Sequence, residues 1–265
     1  METALIYILI CYIVVASTIM YICIRHITHM RVKLFFIDNL IVAIVGILVA
    51  IVLYAYPIWA LIISTISLPI FAYLGIHIRF WRSPNRKLIA KENEIVSPAD
   101  GNIIYINKID QGQQFISIKN GKISDLEEIT QTNLIKKPCW QIGINMTPFD
   151  VHKNCSPIDG RIILSKHISG SYHSLKEYIA MIENERHTYI ISNNRYSAGI
   201  VQIASRRVRR IDSYVKEGQY VKKGEWIGMI RFGSQVDVFL PIEAKINIEL
   251  KQQVYAKKSI IAEIE

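Results

Sequence analysis

Cysteine is scarce in this chain of 265 residues: Cys11, Cys23, Cys139 and Cys155 are the full set, and no two of them are spaced C-x-x-C. That supports neither a disulfide framework nor a zinc knuckle, and it agrees with a reducing compartment. The seven histidines form no His-x-x-x-His pair and meet no carboxylate triad, so no metal is expected. Acidic residues are outnumbered 22 to 31, for a formal net charge of +9. Such a balance suits nucleic acid, an acidic substrate or anionic lipid. The basic clusters lack aromatic interleaving and any recognised helix motif, which argues against nucleic acid.

What the chain has in excess is apolar residues, 51% of the total, concentrated at the N-terminus. Residues 4–24 are a nearly unbroken apolar run, long enough to cross a bilayer. Met1-Glu2-Thr3 offers no basic leader, and a second apolar block follows, so a cleaved signal peptide is not expected. Residues 40–78 are apolar almost throughout. As one straight helix they would measure roughly 58 Å, about twice the hydrocarbon thickness. A break near Tyr56-Pro57 resolves this, giving about three transmembrane or hairpin segments within residues 1–79. Arg25, Arg31 and Lys33 flank one loop; Arg79, Arg82, Arg86, Lys87 and Lys91 follow the last span. Three spans put both clusters on one face, which the positive-inside rule makes cytoplasmic. The expectation is therefore a cell-membrane protein with its soluble domain in the cytoplasm. A buried, soluble helical bundle is the competing reading.

From about residue 94 the pattern changes to short β-branched runs punctuated by Gly, Asn, Asp and Pro. Strands are expected at 102–107, 114–118, 140–145, 161–165, 187–192, 199–205, 226–231, 236–240 and 245–250, with one short helix within 175–183. Ser97-Pro98-Ala99-Asp100-Gly101-Asn102-Ile103 is echoed by Ser156-Pro157-Ile158-Asp159-Gly160-Arg161-Ile162. Pro followed by Asp-Gly makes a tight turn that launches a strand. A further turn, from Glu217-Gly218 to Gly224-Glu225, resembles the hammerhead half of lipoyl and biotinyl domains. The fold class expected is mainly β, a barrel-sandwich-like domain over residues 80–265, behind an N-terminal helical transmembrane region.

Several residues are placed for chemistry. Asp100 either caps its own turn or orients an imidazole in a relay; Asp159 reads as a turn residue only. His152 lies on a loop between Pro148 and Pro157, poorly placed for core packing and well suited to proton transfer. His167, His173 and His187 lack such a frame and read as surface or structural. In Arg206-Arg207-Val208-Arg209-Arg210, the guanidinium forks fit phosphate oxygens, with Arg209 and Arg210 the candidates, or else they protect an edge strand. Finally, Gly233-Ser234 sits between two strand-like runs, Met229–Phe232 and Gln235–Pro241. It is either a bulge or a site of acyl shift, in which the Ser234 hydroxyl attacks the Gly233 carbonyl.

Six segments, in order, carry a resemblance. They are Phe80-Trp81-Arg82-Ser83-Pro84-Asn85-Arg86, 97–101, 146–152, Glu183-Asn184-Glu185-Arg186, Arg209-Arg210-Ile211 and Arg231-Phe232-Gly233-Ser234-Gln235-Val236-Asp237. Together they resemble the short-form phosphatidylserine decarboxylase proenzymes. The resemblance implies serinolysis between Gly233 and Ser234 and conversion of Ser234 into a pyruvoyl group. A large chain (1–233) and a small chain (234–265) then stay paired as a heterodimer. The pyruvoyl ketone condenses with the amine of phosphatidylserine at the lipid bilayer and delocalises the electrons left by CO2. The product is phosphatidylethanolamine. Longer members resemble D-x-H-x-x-H where this chain reads Asp150-Val151-His152-Lys153-Asn154-Cys155, so the second histidine is Cys155 here. His152 is then expected to serve both steps, with Asp100 orienting it and Cys155 as a weaker candidate base. Two alternatives stand beside this: an uncleaved, membrane-anchored barrel-sandwich module for binding or assembly, and the same chemistry on an archaeal ether lipid.

Overall fold

A computed structural model describes the chain apart from residues 1, 29, 54, 111–114, 117–122, 125, 176, 178, 206–209 and 232–233. At residues 2, 3, 27, 28, 115, 116, 123, 124, 128 and 234 it describes the backbone alone. The described residues form two compact units, one of residues 1–81 with 147–149, the other of residues 82–146 with 150–265.

The first unit is three helices, α1 (Glu2–Thr28), α2 (Val32–Val52) and α3 (Pro57–Trp81). All three are long and apolar enough to cross a membrane. The expected break at Tyr56-Pro57 separates α2 from α3, with Pro57 at the first position of its helix, where a missing N–H costs nothing. Small residues bring the helices together: a Cβ on Gly46 would come within 2.9 Å of Ile13 on α1 and 3.1 Å of Leu68 on α3. Polar side chains bridge the helices as well. Asn39 donates to Thr18 at 3.1 Å, Tyr12 and Thr65 hydroxyls lie 3.0 Å apart, and Arg79 pairs with Asp38 through Nε at 3.0 Å. Ile19, Leu40, Ile44, Ile66 and Tyr73 stay exposed, as lipid-facing side chains do.

The second unit is mainly β. Its strands in chain order are β1 (Glu94–Val96), β2 (Gly101–Ile109), β3 (Phe115–Ile116), β4 (Ile123–Ser124), β5 (Cys139–Met146), β6 (Lys153–Cys155), β7 (Gly160–Ile168) and β8 (Arg186–Ser192). Then follow β9 (Ser197–Ala204), β10 (Ile211–Ser213), β11 (Tyr220–Val221), β12 (Trp226–Ile230), β13 (Ser234–Pro241), β14 (Lys245–Ile246), β15 (Gln253–Val254) and β16 (Ile260–Glu263). Two short helices, α4 (Leu126–Thr130) and α5 (Ala180–Glu183), lie between strands. An eight-stranded sheet runs β11-β7-β8-β9-β13-β5-β2-β15, and two three-stranded sheets run β1-β16-β14 and β10-β12-β6.

The echo in the sequence is a structural duplication. Ser97 Oγ donates to Ala99 O at 2.7 Å, and Ser156 Oγ to Ile158 O at 2.6 Å. The two turns also bond to each other, Val96 N to Pro157 O and Cys155 N to Pro98 O. Both glycines of the turns sit where a side chain has no room: a Cβ would lie 2.4 Å from Asn145 O at Gly101 and 2.6 Å from Ser192 O at Gly160. β2 against β5 carries a register shift after Ile103, and β7 against β8 carries one after Ile162. The hammerheads match too. Gly218 and Gly224, at φ 81° and 79°, are answered by Lys251 and Lys257, at φ 67° and 68°.

One half of this duplication is contiguous, β6 to β12, and it is inserted into the other. In the inner half, β8 turns directly into β9, with Asn193 N bonded to Tyr196 O at 3.0 Å. In the outer half the equivalent strand ends are Met146 and Ser234, which face each other across β5 and β13. Residues 147–233 run between them.

Candidate active site

Ser234 opens β13, a central strand held on both edges. Its residues 234–241 all pair with β5, and residues 234–239 all pair with β9. Met146 and Ala204 are the two partners of Ser234. Gly233 and Arg209 lie outside the described residues, as does the Ser234 side chain.

His152 is tied by its backbone to β12, the strand before the Gly-Ser pair: its carbonyl accepts Ile230 N at 3.2 Å. The ring is fully buried. Nδ1 lies 2.9 Å from the Asp150 carbonyl, which requires a proton on Nδ1 and leaves Nε2 as the basic nitrogen. Burial pushes the imidazole down to about 4, against the opposing pull of the Asp150 carbonyl and the Asp100 carboxylate. His152 is therefore neutral at physiological pH.

Asp100 is fully buried in the same neighbourhood. Its carboxylate accepts two bonds from Arg86, at 2.5 and 2.7 Å, one from Ala256 N at 2.9 Å and one from Val151 N at 3.4 Å. It acts on His152 through its charge and through the backbone of the preceding residue. Cys155 is buried as well, and its thiol donates to Ser97 O at 3.5 Å. Burial pushes that thiol up to about 12, far from a working base near neutrality.

Arg210 and Arg231 are joined by one carboxylate. Each donates through Nε to a different oxygen of Asp212, at 2.8 Å, and Arg231 N bonds to Arg210 O at 3.1 Å. The sequence motif offered Arg210; Arg231 and Asp212 come from the fold. Asp159 accepts Lys223 N at 2.9 Å, as a turn residue does. His187 is buried against Ser165, 3.0 Å away, while His167 and His173 pair with glutamates near the surface.

Two polar groups escaped the sequence reading. Gln202 and Asn154 are fully buried and bonded, Gln202 Nε2 to Asn154 Oδ1 at 2.6 Å. On the other face of β13, Asp237 accepts Tyr105 Oη at 2.7 Å, Gln141 Nε2 at 2.6 Å and Gln235 Nε2 at 2.7 Å. Burial pushes the Asp237 carboxyl up to about 6, and these three donors hold it back from rising further. Gln202 and Asp237 both interrupt apolar strands, the one signal that Gln202 left in the sequence, while Asp237 also closes the Gly-Ser segment.

The phosphatidylserine decarboxylase family model matches residues 74–262. A Methanocaldococcus jannaschii protein provisionally named archaetidylserine decarboxylase proenzyme is 39% identical over 184 residues, covering 69% of this chain and 87% of its own. A Methanothermobacter thermautotrophicus protein with the same provisional name is 32% identical over 204 residues, 74% of this chain and 84% of its own. The phosphatidylserine decarboxylase proenzyme of Cytophaga hutchinsonii is 32% identical over 202 residues, 76% of this chain and 81% of its own. The matched region begins near the end of α3 and takes in both S-P-x-D-G turns, His152 and the Gly-Ser pair, and the chain belongs to the phosphatidylserine decarboxylase family.

Proposed function

We propose that this chain is a proenzyme that cuts itself between Gly233 and Ser234, and that the resulting enzyme decarboxylates phosphatidylserine to phosphatidylethanolamine. One observation carries the reading: Ser234 of a Gly-Ser pair opens the central strand β13, and His152, buried and neutral, is bonded to the strand that leads into it. Ser234 attacks the Gly233 carbonyl carbon, the C–N bond breaks, and the hydroxyl proton passes by way of His152 to the freed amine. Removal of the Ser234 Cα proton expels the Gly233 carboxylate. The dehydroalanine left behind takes up water, releases ammonia and becomes a pyruvoyl group.

Position 234 suits such a group. The buried Gln202 amide lies on its face of the sheet, bonded to Asn154 of the neighbouring sheet, and β13 is paired along both edges. A pyruvoyl carbonyl would supply a sink for the electron pair left behind on carbon when CO2 departs. The protein's own part is to orient the substrate and to move protons. His152 holds a proton-accepting nitrogen at the site; Arg210, Arg231 and Arg209 offer guanidinium forks to the phosphodiester. Asp100, locked by Arg86, biases His152 electrostatically. The large chain, 1–233, and the small chain, 234–265, form the working heterodimer, anchored in the bilayer with the catalytic domain on the cytoplasmic side.

The relatives from Methanocaldococcus and Methanothermobacter favour a second reading of the substrate, the same headgroup on an ether lipid. Purified protein supplied with vesicles of either lipid tests both. Conversion of a serine headgroup to ethanolamine is expected. No conversion of either lipid by a single uncleaved chain would leave a membrane-anchored binding or assembly module.

A further inference from the structure

Strand β9 places one side-chain amide on an otherwise apolar face. Ala198, Ile200 and Ala204 belong to the core between the sheets, and Gln202 falls among them in the strand's alternation. Gln202 is fully buried, with Nε2 bonded to Asn154 Oδ1 at 2.6 Å. Asn154 Nδ2 in turn lies 4.0 Å from Met146 Sδ. Gln202 Oε1 is buried and accepts no hydrogen bond among the described residues. A buried carbonyl left unmet is costly and uncommon, so its retention asks for a partner.

The strand ladders say what lies near it. Gln202 faces Val236, and Ala204 faces Ser234. Gln202 and Ser234 are therefore diagonal neighbours on one face, within reach of a long side chain. Met146, in contact with the same amide pair, faces Ser234 from the other side. Gly228 keeps this space open, because a Cβ there would lie 3.2 Å from Gln202 Nε2 and 2.7 Å from the Tyr189 hydroxyl.

We propose that Gln202 is a positioning residue for self-cleavage: its Oε1 accepts the Ser234 hydroxyl and holds it in the orientation that attacks the preceding carbonyl. The proposal rests on the proenzyme reading above. Asn154 fixes which way round the amide stands by occupying Nε2. Gln202 takes no proton itself: the hydroxyl rests on Oε1 before attack, and its single proton turns to His152 as the oxygen closes on the carbonyl carbon. The bond formed is from Ser234 Oγ to the Gly233 carbonyl carbon, the bond broken is that carbon to the Ser234 nitrogen, and the hydroxyl proton ends on the freed amine. Misplacing an attacking group costs rate steeply, on the order of 10- to 100-fold for shifts near an ångström.

The test uses the full chain, made by cell-free synthesis with phosphatidylcholine–phosphatidylglycerol vesicles and followed from precursor to two chains on gels. Gln202→Met fills the same space without a polar atom; Gln202→Glu keeps an acceptor oxygen. The expected result is that Gln202→Met slows cleavage by about tenfold or more, while Gln202→Glu stays within about threefold of the parent. A packing role predicts the reverse order, since a buried apolar site tolerates Met better than Glu. Equal melting of Ser234→Ala with and without Gln202→Met shows that the fold is intact. Cleavage of Gln202→Met at the parental rate, a stalled Gln202→Glu, or a lower melting temperature for the Met variant would each overturn the proposal. Failure of the unsubstituted chain to cleave would instead overturn the proenzyme reading, and this proposal with it.

Discussion

Asp100 and Asp159 close the same turn in the two halves of the sheet, each accepting one backbone N–H at 2.9 Å, from Ala256 and from Lys223. What separates them is chiefly Arg86, which gives two further bonds to Asp100, beside one from Val151 N at 3.4 Å. The inner copy is a turn; the outer copy is a turn with a locked charge beside His152. Duplicated scaffold thus supplies both carboxylates, and the segment after the last helix turns one of them toward the site's electrostatics.

Arg86→Ala leaves the Asp100 carboxylate buried without its counter-charge. A loss of about 3–5 kcal/mol in stability is expected, as for other broken buried pairs. Asp159→Ala costs only about 1 kcal/mol, the worth of one hydrogen bond. Thermal unfolding of the two variants in a Ser234→Ala background compares them directly. Equal losses would mean that the ion pair adds nothing to the turn.

His152→Ala is expected to stop self-cleavage. The pH profile adds a sharper check. Because burial holds the imidazole at about 4, its basic form is already present as pH rises past that value. The cleavage rate should be level from about pH 5 to pH 8 and fall as pH drops through about 4. A midpoint near the ordinary histidine value would place the working base elsewhere.

Cys155→Ala should cleave at nearly the parental rate, since the thiol is protonated at every physiological pH and spends its proton on Ser97 O. The cost is packing and one weak hydrogen bond, on the order of 1 kcal/mol. A variant that folds and fails to cleave would restore Cys155 as the base.

Asp237 links stability to pH. Its folded value, about 6, lies above the ordinary 3.8, so the fold favours the protonated acid. Its contribution is fully present below about pH 4 and is lost as pH rises through about 6. About two units amount to about 2–3 kcal/mol. Asp237→Asn removes that slope, so the stability difference between variant and parent should shift in the variant's favour between pH 4 and pH 7. A constant difference across that range would show that the carboxyl does not titrate there.

Much of the fold was legible in the sequence because its strands alternate and its turns carry Pro and Asp-Gly. The S-P-x-D-G echo pointed to the duplication. The short strands β1, β6, β10, β11, β15 and β16 were not expected, because two to four residues hold too little alternation to read. The strand expected at 245–250 ends at Ile246, and residues 249–252 form a turn closed by Gln252 Oε1 on Glu249 N. The helix expected within 175–183 is confined to Ala180–Glu183, with Asn184 bonded back to the His173 backbone. At the site, Ser234, His152 and Asp100 stood out by motif. Gln202 did not, and Asn154 and Arg231 stood inside quoted segments without a role of their own, because their roles depend on which strands lie side by side. The insertion of one half into the other is a pairing between residues far apart in sequence, and no local pattern encodes it.

Intact mass spectrometry of the purified protein tests the central claim most directly. The account predicts two chains, residues 1–233 and a 32-residue partner from 234–265 whose N-terminal serine has become pyruvoyl, and one unprocessed chain for Ser234→Ala. A parent protein that remains a single chain of 30.5 kDa over days in a native membrane would contradict it.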